Sequence, residues 1–143
     1  MAVVGHPIHA MLVHFPVALV MATLACDLMY WWGADVFWLR AGLWAAGGAF
    51  ATGVAASVVG VMEILAVRGI RARVASWSHA VAGLTLLAIM GANWGVRFGL
   101  PEGQLAHQLV LSVMAAISAG YAGWHGGKLV FDEGVGLKIN PGD

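Results

Sequence analysis

Charge is what this chain has least of: among 143 residues there are seven Lys or Arg and seven Asp or Glu, and no cation precedes Arg40. Formal net charge is zero with neutral histidines, and no basic stripe is present to meet nucleic-acid phosphates. A single cysteine, Cys26, excludes an intrachain disulfide. The absence of Cys-x-x-Cys-His excludes covalent attachment of haem. No glycine-rich phosphate loop, nucleophile elbow or paired-carboxylate hydrolase pattern occurs. The first apolar run lacks preceding cations and is too long for an h-region, so it does not read as a cleaved signal peptide. Internal repeats, low-complexity tracts and long linkers are also missing, which predicts one domain over residues 1–143.

What the chain has is apolar surface. Hydrophobic residues make up 61% and mean hydropathy is +0.84, leaving too few polar side chains to coat a water-soluble globule. Four apolar stretches each approach the roughly 20 residues that carry a helix across about 30 Å of hydrocarbon. In lipid the backbone must satisfy itself within the element, so they read as helices. The fold class expected is all-α, an integral membrane four-helix bundle with approximate spans 10–32, 41–67, 79–97 and 105–125. A short N-terminal lead-in precedes it, and a surface tail follows from Lys128 to the final Asn140-Pro141-Gly142. Four crossings leave both termini on one side. That side holds Arg68, Arg71, Arg73, Lys128 and Lys138 against Arg40 and Arg97 on the other, which predicts that it is cytoplasmic.

Small residues recur every four positions in the second span (Ala49, Gly53, Ser57; Ala56, Gly60) and the fourth (Ala119, Gly123, Gly127), a spacing that lets helix backbones approach closely. Trp31, Trp32 and Trp38 at one end, with Trp77 and Trp124 at the other, read as interfacial belts. Asp27 lies about one turn inside the first span, close enough to the end to reach water, Arg40 or Arg97. An intramembrane acid is otherwise a functional candidate.

Histidines carry the main signal. "GHPIHAMLVHFP", Gly5 to Pro16, holds His6, His9 and His14, three of six in the chain. On the expected topology His79 opens the third span and His125 closes the fourth on the same side, where Glu63 ends the second. Imidazoles converging from separate helices on one layer of a bundle are what a haem or metal ion needs. At about 100° per residue His9 and His14 project roughly 140° apart on one helix. Pro16 leaves two arrangements open: a span starting near Phe15 behind a separate lead-in, or one starting near Pro7 and kinked at Pro16. For an axial pair, His14 with His79 is the leading choice, with Ala18 and Gly83 one turn deeper as small neighbours for a porphyrin face and Met21 and Met90 at its inner edge. His9 or His125 in place of His14 is the alternative. A non-haem ion on His6, His9, His14, His79 and Glu63 also fits imidazole and carboxylate chemistry.

The segments "HPIHAMLVHFPVAL", "CDLMY", Gly60 to Glu63, "SWSHAVAG" and "GYAGWHGGKLVFDEGVGL" together resemble the bacterial four-helix membrane protein family known as domain of unknown function 2231. The resemblance spans nearly the whole chain and covers His6, His9, His14, Glu63, His79, Gly126, Gly127 and Gly134 to Gly136. The chain departs from the family pattern at Ala10, His125 and Glu133; the last replaces a tail histidine, for which His125 is a candidate substitute. The resemblance implies a multi-pass protein of the bacterial inner membrane. Members are sometimes joined to Rieske iron–sulfur domains, which implies electron transfer by analogy.

The function expected first is therefore that of an electron carrier with b-type haem, exchanging electrons with a quinone or another membrane carrier and a redox partner, rather than a stand-alone enzyme. The alternatives are an accessory or anchoring subunit of a larger redox or photosynthetic membrane complex, with structural histidines, and a non-haem metal-binding membrane protein. Ion translocation is disfavoured, because nothing ionisable lies between the two ends of the spans.

Overall fold

The computed structural model describes residues 2–3, 6–98, 105–132 and 134, with side chains from Ile8 onward. The side chain of His6, residues 99–104, Glu133 and the residues from 135 onward lie outside the described residues. Ahead of the helices, Ala2 pairs with Pro7 and Val3 with His6 in a two-residue antiparallel bridge. The elements that follow among the described residues are all helices: α1 (Ile8–Leu12), α2 (His14–Gly33), α3 (Val36–Ala66), α4 (Arg68–Arg71), α5 (Val74–Val96) and α6 (Leu105–Phe131). Four helices are long and apolar enough to cross a membrane, α1 and α2 counting together as one. The chain is a four-helix membrane protein.

Pro16 lies in the first turn of α2, just after the break at Val13 that divides it from α1. It has no N–H to offer the Leu12 carbonyl four residues back, whereas in the first turn of a new helix that donor is not required. The backbone stays close to helical through the junction, with Val13 N–H bonded to the His9 carbonyl at 3.1 Å and Val17 N–H to the Val13 carbonyl at 3.3 Å. The outcome combines the two expected arrangements: α1 is a distinct helical piece, but the apolar span counted from Ile8 runs on through the junction to Gly33. At the far end Ala34 takes a left-handed conformation (φ 52°) and returns its N–H to the Tyr30 carbonyl. Asp35 then caps α3, its carboxylate accepting from Phe37 N–H at 2.9 Å. This two-residue connection starts α3 at Val36, earlier than the expected 41, so Arg40 lies within the helix. Likewise α5 starts at Val74 rather than 79, and α6 runs to Phe131 rather than 125. At 1.5 Å per residue α3 is about 46 Å long, which exceeds the hydrocarbon thickness and brings its ends to the interfaces.

The helices pack in the ring order α2, α3, α5, α6, and α1 packs on α3. At the centre are Val20, Ala46, Ala49, Met90, Ala115 and Ala119, with Phe50 and Trp94 stacked at their edge (centroids 5.8 Å apart). Alanine backs α3 and α6 here because lipid tails are as apolar as side chains, and close backbone approach, not hydrophobicity, holds the helices. The glycines of α3 do something different from what the four-residue stripe suggests. A Cβ at Gly42 would meet Arg97 at 2.8 Å, one at Gly47 would meet the Trp94 indole at 2.7 Å, and one at Gly60 would meet His9 at 2.8 Å. Each is a socket for a large side chain of a neighbouring element. Gly123 and Gly127 of α6 face open space.

Candidate functional site at the histidine end

Two polar clusters occupy opposite ends of the bundle. At the end where α2 meets α3, Asp27 and Arg97 are 1% and 3% exposed and form a bidentate pair, with Arg97 Nη1 and Nη2 donating to the two Asp27 carboxylate oxygens at 2.9 and 2.8 Å. Arg97 Nε donates to Asn93 Oδ1 at 2.8 Å, and the guanidinium also reaches Gln108 and Ser112. Ser112 donates to Asp27 and accepts from Asn93. Of the partners expected for Asp27, Arg97 is the one engaged. Every N–H of the guanidinium has an acceptor, the condition under which a buried ion pair is tolerated. The cluster ties α2, α5 and α6 around the space left by Gly42. Its sequence signal was the i, i+4 polar pairs Asn93/Arg97 and Gln108/Ser112 at the ends of their helices.

The histidine end has a different character, because its polar groups surround space. His9 from α1 donates its Nδ1–H to the Ala56 carbonyl of α3 at 2.9 Å. His79 from α5 donates its Nδ1–H to the Ala122 carbonyl of α6 at 3.1 Å. A carbonyl only accepts, so each ring carries a proton on Nδ1, and in its neutral form such a ring has its lone pair on Nε2. The ring centroids are 5.9 Å apart, with planes at 81°. Glycine makes room for each imidazole: a Cβ at Gly60 would meet the His9 ring at 2.8 Å, and one at Gly126 the His79 ring at 3.0 Å. Beside the two rings lies a cavity of about 110 Å³ between α3 and α5, lined also by Ser57, Glu63, Ser76 and Gly83 and closed by Ile64, Ile70 and Leu129. Exposed Val61 and Leu84 border it on the outer side.

The expected His14–His79 pair is not formed. His14 is exposed on the outside of α2, its Nδ1 lying 3.3 Å from the Met11 carbonyl. The angular separation of His9 and His14 decides this: with His9 turned onto α3, His14 five residues on points away from the bundle. Ala18, one turn deeper on the same face, is exposed too, and Met21 is 51% exposed. Met90 is a residue of the central core. Gly83 does line the cavity. His125 is half-buried and packs edge-on against Tyr121, centroids 4.5 Å apart. Of the expected metal-ligand set, His9, His79 and Glu63 share one cavity, but among the described residues no three His, Cys, Asp or Glu side chains are gathered tightly enough to hold an ion. With metal–nitrogen bonds of about 2.0 Å, two imidazoles on opposite sides of one ion have centroids about 6 Å apart. The His9–His79 spacing is of that size.

Ser76, Gly60 and Gly126 were not singled out as site residues. Ser76 lies one turn from His79 in "SWSHAVAG", a spacing that was available in the sequence. Gly60 and Gly126 pair with histidines on other elements, and nothing local marks such a pairing.

Comparison with known proteins adds a family but no activity. Neither the curated proteins nor the solved structures contain a match to this chain. The model of one family, described as "Predicted membrane protein (DUF2231)", matches residues 5–138. The chain belongs to that family.

Proposed function

We propose that this member of the DUF2231 family is a membrane-embedded electron-transfer protein that binds haem b through His9 and His79. The observation that carries the reading is the pair itself. Two imidazoles from different elements, with centroids 5.9 Å apart, each have Nδ1–H fixed to a helix carbonyl, which leaves Nε2 as the nitrogen that a metal would take. Carbonyl bonds of this kind set the ring orientation of a ligating histidine and raise the basicity of its Nε2. The donor count suits haem, which asks two ligands of the protein, better than a bare ion, which asks three or four. A porphyrin is larger than the 110 Å³ cavity, so the lipid-facing side at Val61 and Leu84 is part of the fit. Bound there, haem supplies one-electron exchange. The chain's own part is to hold the two Nε2 atoms and, through Ile64, Ile70 and Leu129, to exclude water and keep the local dielectric low.

The arginines between α3 and α5 favour placing this end at the cytoplasmic face of a bacterial inner membrane, with both termini inside. The exchange partners are then a membrane carrier such as a quinone and a redox protein at that face. Glu63 in the same cavity favours, as a second reading, a non-haem ion. Detergent-purified protein from haem-replete cells should show a b-type reduced-minus-oxidised spectrum, lost in His9→Ala and His79→Ala and kept in His14→Ala. A colourless preparation overturns the haem reading, and metal analysis of that same preparation decides the second.

A further inference from the structure

On the face of α5 opposite the histidine cavity, a groove of about 680 Å³ runs between α5 and α6, from Val74 and Trp77 near the end of the bundle to Thr85 and Ile117 inside it. Its walls are largely apolar in effect, because the hydroxyls of Ser78 and Thr85 are turned back onto their own helix and donate to the Val74 and Val81 carbonyls at 3.2 and 2.8 Å. From Val74 to Thr85 the groove covers about 16 Å at 1.5 Å per residue, half of the roughly 30 Å of hydrocarbon that the helices cross. It is one leaflet deep. A helix of a second copy would lie along the whole span, whereas an acyl chain entering from this end reaches the midplane and stops there.

The mouth of the groove is cationic on both sides. Trp77, in the α5 wall, donates its Nε1–H to the Arg71 carbonyl at 2.9 Å, which ties exposed Arg71 of α4 beside the opening. On α6, exposed Lys128 follows Tyr121 of the other wall by seven residues, two turns along the same face. The levels agree: the His79 ring lies against Ala122 and Gly126 of α6, so Val74, five residues nearer the end on α5, stands close to the level of Lys128. Among the described residues this end carries Arg68, Arg71, Arg73 and Lys128 against the acids Glu63 and Asp132, and Glu63 lines the histidine cavity on the opposite face of α5. We propose that the groove binds an anionic phospholipid, with an acyl chain lying between α5 and α6 and the headgroup phosphate held between Arg71 and Lys128. The assignment is independent of the haem reading.

The test uses the purified full chain in detergent, titrated with phosphatidylglycerol and with phosphatidylcholine of identical acyl chains, the bound lipid being counted by native mass spectrometry. Wild type should hold phosphatidylglycerol the more tightly, by about fivefold for each cation engaged, and should lose that preference as salt is raised. Arg71→Gln and Lys128→Gln should each remove about fivefold of the preference. Arg40→Gln, at the opposite end, should remove none, and Ser118→Leu, which fills the α6 wall of the groove, should lower retention of both lipids. Equal affinity for the two lipids, or a preference that neither Arg71→Gln nor Lys128→Gln reduces, overturns the assignment. A dimer that Ser118→Leu dissociates, with no lipid retained by wild type, overturns it as well, since a second copy would then be the occupant. The salt dependence is read on wild type alone, so a variant that fails to fold does not shelter the proposal: a preference for phosphatidylglycerol that salt leaves untouched overturns it.

Discussion

Gly60→Ala is the substitution that interrogates the site most directly, because its sign is expected to depend on one other residue. The added Cβ would stand 2.8 Å from His9 Cε1, 2.9 Å from Nδ1 and 3.3 Å from Nε2. That first contact falls at least about 0.7 Å short of an ordinary carbon–carbon approach. The ring has no easy retreat: Nδ1 is bonded to the Ala56 carbonyl, one turn along the same helix, so moving off Gly60 strains or breaks that bond. Overpacking of this kind costs about 1–3 kcal/mol, and the lost hydrogen bond about 1 kcal/mol more. Against these stands the better helix propensity of alanine, worth about 1 kcal/mol over glycine. Together they make the change destabilising by about 1–3 kcal/mol in the wild-type background. In a His9→Ala background the obstructing ring is gone and only the propensity remains, so the same substitution should stabilise by up to about 1 kcal/mol. Equilibrium unfolding in mixed micelles, followed by tryptophan fluorescence and arranged as a double-mutant cycle, reads the difference. The same free-energy change in both backgrounds would refute the reasoning, since it would mean that the His9 ring does not sit on Gly60.

Two further outcomes follow from the packing. Asp27→Ala leaves the Arg97 guanidinium buried without its carboxylate and should destabilise the protein by about 3–5 kcal/mol; Asp27→Ala combined with Arg97→Met should recover most of that loss in the same unfolding assay, because removing both charges removes the desolvation penalty. Gly123→Ala, whose new Cβ meets nothing within 4 Å, should leave stability unchanged or raise it slightly by helix propensity. A loss there would show that this face of α6 is covered by something other than lipid.

Much of the architecture was legible because the membrane simplifies the code. Spans of apolar residues must be helical whatever their neighbours, so hydropathy alone located four of them. Their ends were less visible. α3 begins at Val36 because Asp35 can cap it, and a capping carboxylate next to a tryptophan-rich segment resembles the polar boundary of a span. Asp27 was legible as a residue needing a partner, with Arg97 among the two cations within reach. The remainder of its network was not, since Asn93, Gln108 and Ser112 are ordinary polar residues until three helices bring them to one guanidinium.

The site divides along the same line. Composition and spacing by themselves determined a four-helix membrane bundle and brought a layer of histidines to one end of it, because lipid leaves the backbone one way to cross and an even number of crossings returns the chain to its starting side. Which imidazoles face each other was decided only in three dimensions. His9, and not His14, meets His79, because the two project about 140° apart on a nearly helical segment and His9 is the one turned onto the Ala56 carbonyl of α3. Glycine at position 60 of one helix and 126 of another supplies the room for the two rings. Those glycines lie 51 and 47 positions from the histidines they accommodate, and only the packing of the helices makes them neighbours.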